Sequence, residues 1–389
     1  MVAQQLDNQE TGNQLGCPQR YSAAVMWRGG TKTFIPAADI VDAAESISFD
    51  RRLNESSHAV VKVSRIRARR DCCALLGRVE PGVHELIVYR DRTPVWCGPV
   101  TIATQTADTF TIEARDVSAW LARLVNTVSL PFGIPDGAFW DIARVAESCI
   151  RGNLNFDPYS NPHDYPNMLS YLLTYDTGIA WNSGRRDSWY VYVLDIINNL
   201  ASKGFEWTVL KRAMMIRPVS NTTVLPGQYW KQRQATLQAD DLGGDVTVSR
   251  NWDSIATRVF ASDQTNQYKG IAVTYGSDFP AYGRLDTLVT ENVNPSDQDT
   301  PREVAILRDL AVNTYNGLVP PRVSFTVGTN ARLRPQAPIT MERLVPGNRV
   351  DVLFNDYCQP INQSMKIVMV SAAWDGNSET VGVTLVPLH

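Results

Sequence analysis

One short pattern, which occurs near both ends of the chain, constrains the fold more than any other feature of the sequence. Residues 78–82 are Arg-Val-Glu-Pro-Gly, and residues 343–347 are Arg-Leu-Val-Pro-Gly. Pro-Gly favours a tight turn, and a segment of strand-forming residues follows each copy, at 83–89 and at 349–354. In both copies a polar tip then leads to a returning strand, so the sequence predicts two similar β-hairpins.

The returning strands, residues 95–102 and 365–374, are each followed by a turn and a third strand with apolar residues at every second position. The alternating residues are Phe110, Ile112 and Ala114 in the first copy and Val381, Val383 and Leu385 in the second. This shared order predicts two copies of one β-barrel or β-sandwich in a single chain. Because Pro-Gly before a strand is also common turn chemistry, two unrelated hairpins are the alternative.

The middle of the chain has a different pattern. Asp136 and Ser188 are each placed to cap a helix, and residues 205–210 and 214–217 are predicted to form a small hairpin. The predicted fold class is therefore mainly β with an α+β insertion, that is, two similar β-barrels plus a small α/β domain. The predicted parts are a flexible N-terminal arm at 1–20, a first β-barrel at 21–125, the α/β insertion at 126–238 and a second β-barrel at 239–389 with an inserted helix at 301–316.

Charge and hydropathy exclude several classes of function. The chain of 389 residues has a formal net charge of −3 and a sequence pI of about 5.9. Proteins that bind nucleic acid carry a basic excess, so we expect no sequence-specific nucleic-acid binding. The first 16 residues are polar and lack the apolar core of a signal peptide. No apolar run is long enough to span a bilayer, so we expect a chain that folds in a cytoplasm.

Residue types that carry catalysis or bind metals do not show a known spacing. The sequence contains no His-Glu-x-x-His, Gly-x-Ser-x-Gly or phosphate-loop motif, and a Cys–His nucleophile pair has no local support. The acidic cluster of Asp240, Asp241 and Asp245 lacks the spacing and the closing glutamate of a helix-loop-helix calcium site. Cys72 and Cys73 are predicted to point to opposite faces of a strand, which suits neither a disulfide nor a shared metal site. We therefore predict no enzyme activity, no cofactor and no metal.

Two charged regions are candidates for contacts between subunits, namely a basic stretch predicted as a strand and the tip of the first hairpin. The candidate residues are Arg65, Arg67, Arg69, Arg90 and Asp91. A strand would place the first three arginines on one face, where their charges add. We expect them to contact acidic groups of a neighbouring subunit rather than DNA, and a solvated face is the alternative.

A long loop at residues 153–187 is rich in aromatic side chains. It contains Tyr159, Tyr165, Tyr171, Tyr175 and Trp181. Exposed tyrosine and tryptophan rings suit contact with a receptor, a glycan or another protein. The alternative is that these rings pack the loop onto its own α/β domain.

The first hairpin resembles one in a known family. It consists of Val88-Tyr89-Arg90-Asp91 followed by Val95-Trp96-Cys97-Gly98-Pro99-Val100. This order is similar to the Tyr-Arg-Asp and Trp-x-Gly-Pro hairpin of phage tail hub proteins, the minor tail or tail-associated proteins of long-tailed actinobacterial phages. Residues 113–116 resemble the step into the first-domain helix of that family, and residues 344–347, 350–352 and 383–385 resemble its last barrel. Through such short patterns the resemblance covers most of residues 45–389.

The resemblance implies tail-tube-like barrels and a homotrimeric ring at the tail tip of a virion, assembled in the host cytoplasm. Such a ring meets the distal tail protein, the tape measure and other tail-tip proteins, and DNA passes through its lumen. Three chains with two barrels each present six similar barrels, which adapts sixfold to threefold symmetry. The alternatives are a host-surface carbohydrate-binding receptor-recognition module, which would use the aromatic loop, and a cell-wall hydrolase of the kind appended to larger relatives.

Overall fold

The structure is a computed structural model that is mainly β and divides into two compact units. It describes residues 15, 20–29, 32–130, 140–155, 172–181, 186–187, 190–219, 233–243, 246–250, 256–263, 272–276, 284–291, 300–318, 323–327, 332–355 and 361–387. The first unit comprises Met1–Ile179, Arg185–Asp245 and Val327–Leu388, and the second comprises Ala180–Gly184, Val246–Thr326 and His389.

The first unit begins with strands joined by short helices. These are β1 (Tyr21–Trp27), β2 (Thr33–Ile35), α1 (Ala37–Ile40), β3 (Ala44–Arg52), β4 (His58–Ser64), α2 (Arg70–Leu76), β5 (His84–Arg90), β6 (Thr93–Gln105), β7 (Thr109–Arg115) and α3 (Ser118–Leu121). In β4, Ala59, Val61 and Val63 are buried, while Lys62 between them is exposed. Every second residue of this strand therefore faces the core, as its alternating sequence predicts.

The inserted α/β part contains two helices and two small groups of strands. Its elements are β8 (Ser129–Leu130), α4 (Ile142–Asn155), β9 (Leu172–Thr174), β10 (Arg186–Asp187), α5 (Val193–Ala201), β11 (Phe205–Leu210) and β12 (Ala213–Pro218). The predicted hairpin is confirmed, with β11 antiparallel to β12 and Lys211 in its turn at a φ of 57°. Both predicted helices are present. The proposed caps Asp136 and Ser188 lie outside the described residues, and the Asp141 carboxylate accepts the Ala143 N–H at 2.9 Å instead.

The chain then leaves the first unit through β13 (Arg233–Gln238) and β14 (Leu242–Gly243). The second unit has β15 (Val246–Arg250), β16 (Arg258–Asp263), β17 (Ala272–Gly276), β18 (Asp286–Glu291), α6 (Thr300–Leu318) and β19 (Val323–Val327). β16 lies between antiparallel β17 and parallel β18, and Val259 and Ala261 pack against Leu307 and Ala311 of α6. The helix predicted at 301–316 is therefore confirmed and covers one face of this sheet.

The last strands return to the first unit. They are β20 (Arg332–Leu333), β21 (Arg349–Phe354), β22 (Ile361–Trp374) and β23 (Glu379–Pro387). β22 pairs antiparallel with β3, with Ser371 opposite Asp50, so the two hairpin regions belong to one sheet. Its strand order is β14-β20-β23-β22-β3-β4-β7-β6-β5-β1-β2, and β13 adds to β21. This ladder does not close among the described strands, so two closed barrels remain a prediction.

Both Pro-Gly segments form the same turn. The Val83 N–H donates to the Glu80 carbonyl at 3.2 Å, and the Asn348 N–H donates to the Val345 carbonyl at 3.0 Å. Gly82 and Gly347 occupy the left-handed region, with φ of 75° and 87°, as the third residue of a type II turn requires. Each glycine N–H also donates to the returning strand, from Gly82 to Val100 of β6 and from Gly347 to Ile367 of β22. The repeat predicted from sequence is thus a repeat of local structure.

The tip of the first hairpin is tighter than the sequence suggests. Arg90 pairs with Thr93, and the two residues between them, Asp91 and Arg92, have φ of 49° and 76°, which is the type I′ geometry of a two-residue loop. Further along β6, a Cβ on Gly98 would lie 1.9 Å from the Arg115 carbonyl oxygen. Glycine is required there because β7 ends directly against the backbone of β6.

The strand predicted for the arginine-rich stretch is wrong. β4 ends at Ser64, residues 65–68 form a turn, and α2 begins at Arg70. Cys72 and Cys73 consequently lie in α2 rather than on opposite faces of a strand. The physical reason is the position of the apolar residues: Cys72 and Leu76, four residues apart, are buried together on one side of the helix. The arginines therefore do not share one strand face.

Two further observations concern the ends and the surface of the fold. Leu15, within the segment predicted as a flexible arm, is fully buried. The boundaries predicted at residues 20, 125 and 238 stay predictions. Among the described residues, no helix is both long enough and apolar enough to cross a membrane.

Candidate functional site

A buried ion pair joins the two repeats. The Arg90 guanidinium, at the end of β5, donates to both carboxylate oxygens of Glu379 at the start of β23, at 2.7 and 3.0 Å. The Tyr21 hydroxyl donates to the same carboxylate at 2.5 Å. Burial opposes the charge on Arg90, yet its bonds to Glu379 outweigh burial and raise its pKa. Burial and the Glu379 carboxylate hold the pKa of Tyr21 well above its usual range. Because both side chains are buried, loss of either one would leave the other charge without a counter-ion and out of reach of water, which is strongly destabilising.

Arg51 of β3 makes a second internal connection. Its guanidinium donates to the carbonyls of Met341 and Leu344 at 3.0 Å each and to the carbonyl of Val95 at 2.9 Å. Burial lowers the pKa of Arg51 to about 10, so the side chain stays charged at neutral pH. One side chain thereby bonds the first hairpin to the segment that leads into the second Pro-Gly turn.

The β11–β12 hairpin is fixed to the same junction by charged groups. The Arg212 guanidinium donates to Glu85 of β5 at 2.9 Å, and Lys366 of β22 pairs with Glu206 of β11. Arg217 of β12 is fully buried and donates to the Pro346 carbonyl of the second Pro-Gly turn. The inserted hairpin is therefore bonded to both repeats of the first unit.

A cleft borders this junction. Its cavity volume is about 680 Å³, and its lining includes Arg20, Asp42, Glu45, Arg67, Trp374 and Asn377. The Trp374 ring stacks on Tyr21, with the ring centres 6.3 Å apart and the planes at 29°. The buried Tyr21–Glu379–Arg90 network thus supports the aromatic part of the cleft from below.

The five residues predicted to contact a neighbouring subunit have different surroundings in the structure. Arg90 is buried by Glu379, so its side chain serves the chain's own fold. Arg65 donates to the carbonyls of Thr106 and Ala107 at 2.6 and 3.0 Å, and Arg69 pairs with Asp39. Asp91 accepts the Arg20 N–H at 3.0 Å. These groups are bound within the chain, whereas Arg67 is exposed and lines the cleft.

The two returning strands differ at the same place in the repeat. β22 pairs with β21 over residues 361–366, and β3 takes over that edge from residue 369 to 374. β6 pairs with β5 up to Pro99, but from residue 101 to 105 none of the described strands lies on that edge. Ile102 in this stretch is 48% exposed. Sequence reasoning found both strands and missed this open edge, because pairing between distant strands leaves no local signal.

The aromatic loop falls largely outside the described residues, which include neither Tyr159, Tyr165 nor Tyr171. Tyr175 is half-buried and its N–H donates to the Ile216 carbonyl of β12 at 2.9 Å. Trp181 is half-buried as well. The bond of Tyr175 to β12 favours, at that position, the alternative in which the loop packs onto its own domain.

An exposed apolar cluster lies elsewhere, in a short ribbon where Val125 is opposite Tyr192. Tyr190 in this ribbon is 84% exposed and has a φ of 64°, a conformation that is unfavourable for an aromatic residue. The aromatic run at residues 189–192 was the available sequence signal for it.

The described residues contain no group of three or more histidine, cysteine, aspartate or glutamate side chains that could hold a metal ion. Burial raises the pKa of the Cys149 thiol to about 12 and raises that of Cys97 further. A thiol with so high a pKa is a poor nucleophile at neutral pH. Cys97 and Cys149 are therefore residues of the packed interior.

Comparison with known proteins gives a fold and no family. No family model matches the chain, and no curated protein matches it in sequence. Solved structures do. A tail protein from Neisseria meningitidis has a TM-score of 0.56 at 12% identity, covering 94% of this chain and 96% of its own. A prophage tail protein from Shewanella oneidensis has a TM-score of 0.55 at 13% identity, with coverages of 94% and 98%.

A third structure agrees with these two. A prophage tail protein from Listeria monocytogenes has a TM-score of 0.53 at 12% identity, covering 93% of this chain and 94% of its own. Identities this low establish a common architecture and no more. The likeness extends over nearly the whole length of each of the three proteins, so it includes both repeats and the parts inserted between them. The chain has the fold of phage tail proteins.

Proposed function

We propose that the chain is a structural, non-enzymatic subunit of a phage tail and forms a homotrimeric hub at the tail tip. In this assembly three chains close a ring, and the two repeats of each chain supply six similar positions around it. The ring joins a sixfold tail tube to threefold tip components. Its lumen passes DNA and the tape measure, and its upper face meets the distal tail protein. Its location is the virion, after assembly in the host cytoplasm.

The open edge of β6 carries the proposal. An uncovered strand edge presents unpaired N–H and C=O groups, which pair readily with another strand. In the second repeat the corresponding edge is covered by β3, which precedes the first repeat in the same chain. In the proposed ring, a strand from a neighbouring copy occupies at residues 101–105 the position that β3 occupies at residues 369–374. The contact within the chain then serves as the template for the contact between chains.

Replacing Ile102 by lysine tests this contact. A lysine on an exposed edge strand prevents pairing with a second chain, while an exposed position tolerates it within about 0.5 kcal/mol of folding stability. We expect Ile102→Lys to leave thermal unfolding unchanged and to abolish the ring, measured as copy number and symmetry in cryo-electron micrographs of tail particles reconstructed without imposed symmetry.

Ile66→Lys is the matched control. Ile66 is 82% exposed and lies in the basic loop rather than on a strand edge. If Ile66→Lys breaks the ring and Ile102→Lys does not, the predicted basic contact around Arg65, Arg67 and Arg69 replaces the β6 edge. A single copy per particle, or copies dispersed on peripheral fibres, would contradict the hub. A lysis band in zymography on host cell walls would contradict the non-enzymatic assignment and favour the hydrolase.

A further inference from the structure

The cleft beside the junction is a preformed site that the ring contact at β6 does not use. Four separate segments converge on it, namely Arg20 before β1, the α1–β3 loop, the β4–α2 loop and the β22–β23 turn. Its volume of about 680 Å³ falls within the range of small-molecule sites. Each of the four segments adjoins a strand of the same sheet, and a site whose parts are already positioned loses less entropy on binding.

The aromatic surface of the cleft is held in place from behind. Trp374 stacks on Tyr21, and Tyr21 donates to Glu379, which also holds Arg90. Trp374 lies opposite Ile47 of β3 and Glu379 of β23, so its backbone is paired on both sides. Since strands and a buried ion pair fix this ring, it can present the same flat surface to each ligand.

Hydrogen bonds to the backbone position two parts of the rim of the cleft. The Arg20 guanidinium pairs with Asp42 at 3.0 Å, and the Arg20 backbone exchanges hydrogen bonds with Asp91 at the first hairpin tip. Asp375 accepts the N–H groups of Asn377 and Ser378 at 3.0 and 2.8 Å. These backbone bonds lower the pKa of Asp375, so its carboxylate stays ionised and maintains the turn.

The remaining polar groups of the cleft have mixed character. Within the described part of the chain, the Glu45 carboxylate, the Arg67 guanidinium and the Asn377 side-chain amide make no hydrogen bond or ion pair with another side chain. A carboxylate only accepts, a guanidinium only donates and an amide does both. The cleft thus combines open acceptors, open donors and an aromatic face.

We propose that this cleft binds a neutral carbohydrate, that is, a short stretch of a polysaccharide chain. A sugar hydroxyl donates and accepts at once, so it needs both kinds of partner close together. A pyranose ring has an apolar C–H face that packs on an aromatic ring, as apolar groups do on tryptophan. Three carboxylates, of Asp42, Glu45 and Asp375, and two guanidinium groups, of Arg20 and Arg67, line the cleft. Arg20 pairs with Asp42 and Asp375 is bonded within its own turn, so one carboxylate, of Glu45, and one guanidinium, of Arg67, are left to meet the hydroxyls of a neutral ligand. Phosphate or nucleic acid would be repelled by these carboxylates.

The proposal is tested with a panel of neutral oligosaccharides built from the common hexoses and N-acetylhexosamines, titrated into the full-length chain and followed by calorimetry and saturation-transfer NMR. We expect at least one panel member to bind, with saturation transferred to its C–H protons. Arg67→Ala and Trp374→Ala should each weaken that binding by about tenfold or more, which corresponds to about 1.4 kcal/mol. Because Trp374 also packs on Tyr21, Arg67→Ala is the decisive variant, and thermal unfolding is measured for both.

Arg70→Ala is the matched control, since Arg70 is an exposed arginine three residues away that does not line the cleft. It should bind the same oligosaccharide as tightly as the wild-type chain. Absence of binding by the whole panel at millimolar concentration, or equal loss in Arg67→Ala and Arg70→Ala, would overturn the proposal. The same variants are examined for ring formation. If Arg67→Ala breaks the ring and leaves oligosaccharide binding unchanged, the cleft belongs to a subunit contact instead.

The two proposals can fail separately. If the wild-type chain forms no ring, the hub is contradicted, while the oligosaccharide titration still tests the cleft.

Discussion

The two repeats share their turns and differ in their surroundings. Each begins with a Pro-Gly turn whose glycine N–H bonds to the returning strand, and each continues as an antiparallel meander. The outer end of β22 is covered by β3, whereas the outer end of β6 has no neighbour on that side among the described strands. The returning strand of the second repeat is therefore paired along both edges, whereas that of the first repeat has the same geometry with one edge open. The turn residues thus determine the local structure of the repeat, but they do not determine which strand pairs with its outer end.

The largest expected effect comes from separating the repeats at their ion pair. Glu379→Gln leaves the Arg90 charge buried without a counter-ion, so we expect a loss of about 3–5 kcal/mol in the free energy of unfolding, measured by urea denaturation. The double variant Arg90→Met, Glu379→Leu removes both charges and should recover most of that loss. A single variant within about 1 kcal/mol of wild type would show that water reaches this pair and that the repeats are not held by it.

The two turn glycines give a direct comparison of intermediate size. A Cβ on Gly82 would meet no atom within 4 Å, whereas a Cβ on Gly347 would lie 1.7 Å from the Arg217 guanidinium. We expect Gly82→Ala to cost about 1 kcal/mol, the strain of a left-handed alanine. Gly347→Ala should cost about 2 kcal/mol more, because Arg217 must move and lose its bond to Pro346. Equal losses in thermal or urea unfolding would show that Arg217 adapts freely.

The smallest effect concerns the residue two places after each glycine, His84 in the first repeat and Arg349 in the second. His84 is buried between Trp27 and Phe34, with ring centres 4.7 and 4.2 Å away, and burial lowers its pKa below the usual value of 6.5. The unfolded chain therefore takes up a proton at higher pH than the folded chain does. Stability from neutral His84 is complete above about pH 6.5 and falls as the pH drops below it.

His84→Gln removes this titration and keeps a hydrogen-bonding side chain. We expect the decline in the free energy of unfolding below pH 6.5 to become shallower than in the wild-type chain, measured by urea denaturation across a pH series. Burial raises the pKa of the neighbouring Glu85, which acts in the opposite direction in both proteins, so the difference between the two curves reports His84. Parallel curves would mean that His84 titrates alike in the folded and unfolded chain.

Local chemistry made much of the fold predictable. The Pro-Gly turns, the β11–β12 hairpin and the helix at Thr300–Leu318 follow from turn residues, caps and periodicity within a few residues. The strand prediction for the arginine-rich stretch was wrong. Residues 65 to 69 alternate as a strand does, but Cys72 and Leu76 are buried together on one side of a helix. Alternation alone does not show which face will be buried.

The candidate site was less accessible to sequence reasoning. Arg90 was expected at an exposed tip, but its partner Glu379 is 289 residues away in the chain. The cleft likewise combines Arg20 and Arg67 with Trp374, residues that no spacing rule connects. Residues of this kind meet only through the register between β3 and β22, and the hydrophobic pattern of each strand alone does not specify which strand it joins.

The β3–β22 junction also bears on how the chain reaches its native state. Tyr21 and Glu379, which meet beside it, are separated by 358 residues. A ribosome must synthesise almost all of these residues before β22 is available. β3 is made early, so its edge that pairs with β22 stays unpaired during most of translation. Contacts this distant in sequence slow the final folding step, and a waiting strand is a target for association with other nascent chains. Newly made copies are therefore most vulnerable to aggregation between the synthesis of their first hairpin and that of their last.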